Sequence, residues 1–193
     1  RLAPTPCPVQ EKRALFGHGH FATQNEKVGD MLLMYQQNSL FRHSGLGGFR
    51  DLVHAMSLQP AMLLYLDNDP NVVGAPNENF ARELMELFTL GEGNYTEKDV
   101  TESARAFTGY RIRPQDQTFR FVRFDHDAGE KEIFGQRGRY DGDGVVDLIL
   151  ARPACGRFIA RRLWEFFAAE SPAPALLDQL TATWNAAGGE TRA

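Results

Sequence analysis

The sequence predicts a mainly α fold: a single helical domain with a minor β-hairpin around residues 118–135. Three observations carry that prediction. Apolar residues recur three and four apart through most of the chain, the spacing that gathers them on one face of a helix. Proline and glycine mark the joints between those segments. Strict alternation, the mark of a strand, is convincing in one place: TFRFVRF, where Phe119 and Phe121 face one way and Arg120 the other.

In chain order, Pro4, Pro6 and Pro8 argue against a regular helix and for an extended lead-in over 1–10. The helical domain then runs over 11–193. A short helix is expected from Glu11 to Phe16, and a second after ATQNEK, with Val28, Met31, Leu32 and Tyr35 on one face. Phe49, Leu52, Val53 and Met56 form the stripe of a third, and Pro60 suits the first turn of a short helix through AMLLYL. DNDPNVVGAPN is a loop by composition. Asn77 is placed to cap the next helix and Gly91 to end it. Phe80, Leu84, Leu87 and Phe88 should face inward there, and Glu78, Arg82, Glu83 and Glu86 outward. Thr96 and Asp99 form a capping-box pattern for a helix that stops at Gly109. TFRFVRF is then expected to pair with EIFGQ across DHDAGEK, giving the hairpin. A short helix from about Val145 follows. ACGRFIARRLWEFFAAE is a strong amphipathic helix with Ile159, Leu163, Phe166 and Phe167 inward, and a last helix spans Ala175 to Ala187.

Bulk properties narrow the function class. A net charge of -4 gives no basic bias, which argues against nucleic acid as a partner. No apolar run approaches the roughly 20 residues that a membrane-spanning helix needs. RLAPTPCPVQEKRALF lacks the apolar stretch of a signal peptide, but the chain begins without methionine and closes on AAGGETRA. We therefore expect a piece of a longer protein, truncated at both ends. Cys7 and Cys155 lie far apart in no ligand-type spacing and read as two half-buried thiols, with a disulfide the alternative.

Three stretches could carry chemistry. On the helix after Asn77, Glu78–Arg82 and Arg82–Glu86 are each four apart and can form a surface ladder worth about 0.3–0.5 kcal/mol per pair. Glu83 and Glu86 could instead present two carboxylates together, or the Arg82, Glu83 and Glu86 face could bind a partner. In GHGHF, an extended backbone would project His18 and His20 to one side, able to chelate one cation. In FDHDAGEK, Asp125, His126 and Asp127 precede a glycine turn, and a carboxylate beside a histidine can orient it or raise its basicity. His126 and Asp127 are the candidate catalytic pair, and His18, His20 and His126 the candidate ligands of a divalent metal ion. The bland alternatives are a solvated helix face, two ordinary histidines and a polar turn. DGDG at 141–144 reads as a turn into a helix cap rather than a calcium loop. Arg42 and His43 could meet an anion at the following helix N-terminus.

The order of LFGHGHFAT, FRHSGLGGFRDLVHAMSLQPAMLLYLDN, NENFARELMELFTLGEGNYTEKDVTESARAFTGY, FDHDAGEK and LARPACGRFIARRLWEFF resembles a bacterial family known as domain of unknown function 1800. The likeness runs from Glu11 to Ala187 and is most specific over 77–110. It implies no reaction and no catalytic residues. It does imply an extracytoplasmic setting, periplasmic or secreted, because many members look exported. It also implies a partner, since their genes commonly neighbour those of an exported sulfatase-like family. One departure is visible: Gly17 stands where the family pattern leads us to expect an aromatic residue. Two functions from different classes follow. One is an exported, metal-assisted, hydrolase-like enzyme using the loop histidines and aspartates. The other is a non-catalytic binding or assembly partner of the sulfatase-like protein.

Overall fold

The computed structural model describes residues 8–44, 47–168 and 170–189. The expected extended lead-in and Cys7 fall mostly outside them. Pro8 to Gln10 already belong to α1 (Pro8–His20), because a proline in the first turn of a helix gives up an N–H that has no partner there anyway. This helix is twice the length expected and carries GHGHF inside it. Gly17 faces α3 (Met31–Ser44): a Cβ there would lie 2.8 Å from the Phe41 ring, so glycine lets the two helices approach. An aromatic side chain at this position would collide with Phe41.

Helix α2 (Asn25–Val28) ends at Gly29, whose φ of 71° is left-handed. The chain restarts at Asp30, whose carboxylate accepts the Leu32 and Leu33 N–H groups at 2.7 and 3.0 Å. That break overturns the expected stripe. Leu33, Gln37 and Phe41 point inward on α3, while Met31, Leu32 and Tyr35 are 73%, 60% and 70% exposed. α4 (Phe49–Ser57) buries all four residues of its expected stripe, and α5 (Pro60–Tyr65) begins at Pro60 as expected.

Composition marked the next segment as a loop, and it is one, but two of its polar side chains are core. Asn68 and Asn71 are fully buried. Asn71 Nδ2 donates to Asn68 Oδ1 (3.1 Å) and the Ala104 carbonyl (3.0 Å), and its Oδ1 accepts the Asn77 N–H (2.9 Å). Asn68 Nδ2 reaches the carbonyls of Phe107 and Tyr110. These bonds tie the loop to the end of α7 (Glu97–Ala106), which opens on the expected Thr96–Asp99 capping box.

Between them lies a buried helix that changes pitch. α6 (Asn79–Glu83) continues without interruption into a π-helical segment, Leu84–Thr89, and Gly91 ends it with φ 79°. Phe80, Leu84, Met85 and Phe88 are buried, whereas Leu87, expected inward, is 53% exposed. The wider i→i+5 turn rotates Leu87 off the stripe that a regular helix would keep.

The β elements are two hairpins, not one. β1 (Tyr110–Ile112) pairs antiparallel with β2 (Phe119–Phe121), and β3 (Lys131–Ile133) with β4 (Gln136–Gly138). TFRFVRF therefore pairs backwards, and EIFGQ folds on itself. The reason is the Phe134–Gly135 turn, where both residues have positive φ (50° and 75°), the two-residue geometry that closes a tight hairpin. α8 (Gly142–Leu150) is capped by the Asp141 side chain on the Gly144 N–H (3.0 Å), so DGDG is the cap it was expected to be. α9 (Pro153–Phe167) buries Ile159 and Ala160 but leaves Phe166 and Phe167 41% and 44% exposed, and α10 (Pro174–Ala186) packs along it. The result is a mainly helical fold with two minor hairpins. No helix among the described residues is long and apolar enough to cross a membrane.

Because the asparagine knot leaves three backbone or side-chain partners buried if it is cut, Asn71→Ala should destabilise the fold by at least about 3 kcal/mol. Urea denaturation at constant slope would show it. A change within the range of an ordinary surface substitution would mean the knot is incidental.

Candidate functional site

The three histidines expected to share a cation go to different places. Inside α1, His18 and His20 are two residues apart and diverge by about 200° around the helix axis. His20 turns into the core. Its Nε2 lies 2.8 Å from the Phe88 carbonyl and must donate to it, so Nδ1 carries the lone pair; that atom is buried with no partner. Phe16 stacks on the ring at 5.3 Å, and Phe21, Phe49, Phe88 and Phe158 surround it. Burial lowers the His20 pKa to about 4, with the Arg162 charge adding to the effect against the opposing Phe88 bond. The His18 Nδ1 is also buried without a partner, beside Phe41.

His126 sits at the far end of α7. Its Nδ1 donates to the Thr108 carbonyl (2.9 Å), and its ring rests against Phe121. Asp127 accepts from Arg105 Nε at 2.7 Å, and its own N–H donates to Thr108 Oγ1. The arginine holds the Asp127 carboxyl below the usual carboxylate range. Lys131, 1% exposed, donates to the carbonyls of Asp127 and Gly129, and burial lowers its pKa. FDHDAGEK is thus a fully bonded latch over the end of α7. Among the described residues no three His, Cys, Asp or Glu side chains gather as a metal ion requires, so His18, His20 and His126 do not form one centre.

Arg42 and His43 are also engaged elsewhere: Arg42 pairs with Glu11 at 2.7 Å and His43 Nδ1 with the Ser39 carbonyl. Cys155 is a buried free thiol, its pKa pushed up to about 12 by burial.

The helix after Asn77 does better. The helix starts at Asn79 with Glu78 in the cap position, so Asn77 stands one residue ahead of its expected place; its Oδ1 still accepts the Asn79 N–H at 2.9 Å. Arg82 makes the expected bond to Glu78 (3.1 Å), but its second partner is Glu97, at 2.8 and 2.7 Å, in place of Glu86. The π segment carries Glu86 away from Arg82 and towards Tyr95, whose hydroxyl donates to it at 2.5 Å. Tyr95 is pushed up to about 12 by burial and by that carboxylate. Glu83 has no hydrogen bond or ion pair with any described residue. Its pKa is raised, first by burial and then by the Glu86 charge, with Arg82 opposing.

Glu83, Glu86 and His20 line one cleft of about 630 Å³ between α1, the π segment and α9, together with Asn79, Lys27 and Arg162. Three carboxylates, those of Glu83, Glu86 and Glu92, share the cleft with a histidine held neutral and two cationic side chains. The apolar stripe of α9 leaves Arg162 on the outward side of the helix. Nothing in its spacing distinguishes it, and it becomes a site residue only because α9 packs on the π segment. A second cleft of about 510 Å³, between α1, α4, α9 and α10, is walled by apolar side chains such as Trp184 and Leu163 and holds no carboxylate or histidine.

A family model described as "Protein of unknown function (DUF1800)" matches residues 1–193. The chain belongs to that family. No curated protein and no solved structure matches it. Family membership therefore assigns no chemistry to the cleft, and the geometry has to carry the functional reading.

The buried His20 has a stability consequence. Its pKa is near 6.5 unfolded and about 4 folded, so the unfolded chain binds more protons in between. Its contribution is complete above pH 6.5 and is lost as pH falls towards 4, about 3 kcal/mol at the limit. Thermal melts should show Tm dropping across that window, and His20→Gln should flatten the drop. An unchanged slope in the variant would remove His20 from the account.

Proposed function

We propose that the domain is an acid–base enzyme, hydrolase-like, working in the cleft of Glu83, Glu86, His20 and Arg162. One observation supports this most: Glu83 is a half-buried carboxylate with no partner, set beside a second carboxylate in a cavity large enough for a small ligand. A carboxyl with a raised pKa holds its proton more readily than a free glutamate, which suits it to give a proton to a leaving group and to take one from water. Glu86, fixed by Tyr95, keeps its charge close to Glu83 and sustains that shift. Arg162 supplies positive charge for an anionic group of the substrate, while Lys27 borders the cleft paired with Asp67 at 2.7 Å. His20, held neutral by burial and bonded through Nε2 to the Phe88 carbonyl, forms part of the cleft's inner wall. The π geometry beneath agrees, since such segments recur at functional sites. The metal-assisted version would need ligands other than the three histidines together.

A second reading, a binding partner of an exported sulfatase-like protein in an extracytoplasmic setting, is favoured by the exposed Met31, Leu32 and Tyr35 of α3. Their replacement by serine should weaken co-purification of such a partner and leave any cleft chemistry intact.

The enzyme reading is tested in two steps. Carbon-detected NMR titration of the full protein should place the Glu83 carboxyl above the ordinary glutamate range, and Glu86→Gln should bring it down. A screen of chromogenic esters, glycosides and phosphates should then yield an activity that Glu83→Gln lowers by roughly 100-fold or more. A Glu83 that titrates normally, or an activity indifferent to Glu83→Gln, would reject the assignment.

A further inference from the structure

The β1–β2 hairpin and the turn after it stand apart from the rest of the chain in charge. Residues 110–125 contain four arginines and two aspartates, in a protein whose net charge is -4. Arg111 and Arg120 are direct cross-strand partners, a pairing of like charges that costs stability unless something anionic lies nearby. Arg111 has Asp125 at 3.8 Å, and Arg113 has Asp116 at 3.3 Å. Arg120 and Arg123 are exposed, and neither has a carboxylate partner among the described residues.

Phe119 and Phe121 lie on the hairpin face opposite Arg120, and Phe124 follows Arg123 in the turn. Phe121 is 44% exposed and Phe124 is 95% exposed. Phe124 does not hang on a loose loop. It occupies the centre of a 3-10 turn, Arg123–Asp125, closed by the Asp125 N–H on the Val122 carbonyl at 3.0 Å. The Val73 N–H donates to the Asp125 carbonyl at 2.7 Å, and Val122 N–H to the Gly109 carbonyl at 2.8 Å. Gly109 has φ 80°, and a Cβ there would come within 2.6 Å of the Val122 carbonyl, so glycine is required for the turn to seat. The fold therefore spends a specific backbone arrangement on presenting a bare phenyl ring to solvent.

We propose that this hairpin is a docking surface for an anionic phospholipid bilayer. Phe124 enters the boundary between headgroups and acyl chains, and Arg120 and Arg123 lie at the level of the lipid phosphates. The pairing of elements is what interfacial binding needs: apolar area for insertion and unpaired guanidinium groups for bidentate contact with phosphate. A folded protein partner would be met by a contiguous apolar patch with charge at its rim. Here one bare ring, Phe124, stands next to the unpaired Arg123. The surrounding acidic chain favours one orientation, with the hairpin towards the lipid and the remainder repelled from it.

The test is sedimentation of the full protein with phosphatidylglycerol–phosphatidylcholine vesicles and with pure phosphatidylcholine vesicles. Binding should be at least about tenfold stronger to the anionic vesicles and should weaken as salt rises. Arg120→Glu with Arg123→Glu should reduce it by roughly 30-fold or more, and Phe124→Ser by about tenfold. Both changes are at exposed positions, and circular dichroism should confirm an unchanged fold. Phe124→Trp should keep binding and shift its emission to the blue on vesicles, a direct readout of insertion. Glu83→Gln should bind as the unmodified protein does, which separates this surface from the cleft. Equal binding to both vesicles, or binding indifferent to the arginine and phenylalanine changes, would overturn the proposal. So would retention by single-stranded DNA or heparin without vesicle binding, which would assign the arginines to an anionic polymer.

Discussion

The cleft depends on one backbone event: the buried helix from Asn79 loosens into π geometry at Leu84. Its six π residues are held by i→i+5 bonds, and the Thr89 hydroxyl closes the segment on the Leu84 carbonyl at 2.5 Å. Three consequences follow from that change of pitch. Glu86 leaves the register that would have paired it with Arg82 and meets Tyr95 instead. Arg82, released, takes Glu97 and binds the helix to the start of α7. The Phe88 carbonyl, near the helix end where such groups lack intrahelical partners, is satisfied by His20 from α1. A regular helix would have given a surface ladder. The π segment gives a cavity wall.

The opposite end of α7 shows how the same residue types behave when they serve the scaffold. Asn68, Asn71, Thr108, Asp127 and Lys131 are buried or half-buried polar groups, and each has partners for its side chain. Burying an amide or an ammonium group is costly unless its hydrogen bonds are replaced, and here they are replaced within the protein. These bonds fix the loop over 66–78, the end of α7 and the crossing between hairpins into one unit. That is also why the Arg123–Asp125 turn is held firmly enough to project Phe124.

Much of the fold was legible in the sequence, and the failures share a cause. Caps and turns are local, so Pro60, Gly91, the Thr96–Asp99 box and the Asp141 cap were all readable from a few neighbouring residues, and the cap expected at Asn77 missed by one position. Stripes failed where the helix was not continuous or not regular: Met31, Leu32 and Tyr35 after the break at Gly29, Leu87 in the π segment. Strand pairing failed because two short strands can satisfy alternation with either neighbour, and the deciding information was a positive φ at Phe134. The site was half legible. Glu83 and Glu86 stood out as a carboxylate pair and His20 as a candidate ligand, but their meeting depends on α1 packing against the π segment. Lys27 and Arg162 carried no signal at all.

The difference between Asp127 and Glu83 is the firmest physical ground for separating latch from site. Both are carboxylates partly withdrawn from water near arginines. Asp127 is bonded to Arg105 and to the Gly129 N–H, and its pKa falls, so its ionised form is part of the native state's stability. Glu83 has neither kind of bond, and its pKa rises, so its ionised form works against the fold as pH climbs through that value. A scaffold has no reason to keep such a group, since glutamine of nearly the same shape would relieve both the burial and the repulsion from Glu86. A ligand that donates a hydrogen bond, or a reaction that uses a carboxyl with a raised pKa, supplies the reason. His20 borders the same cleft, but its unpartnered Nδ1 is buried among phenylalanine rings and belongs to the core. Glu83, a half-buried carboxylate with no partner, is better explained by what enters the cavity than by what surrounds it.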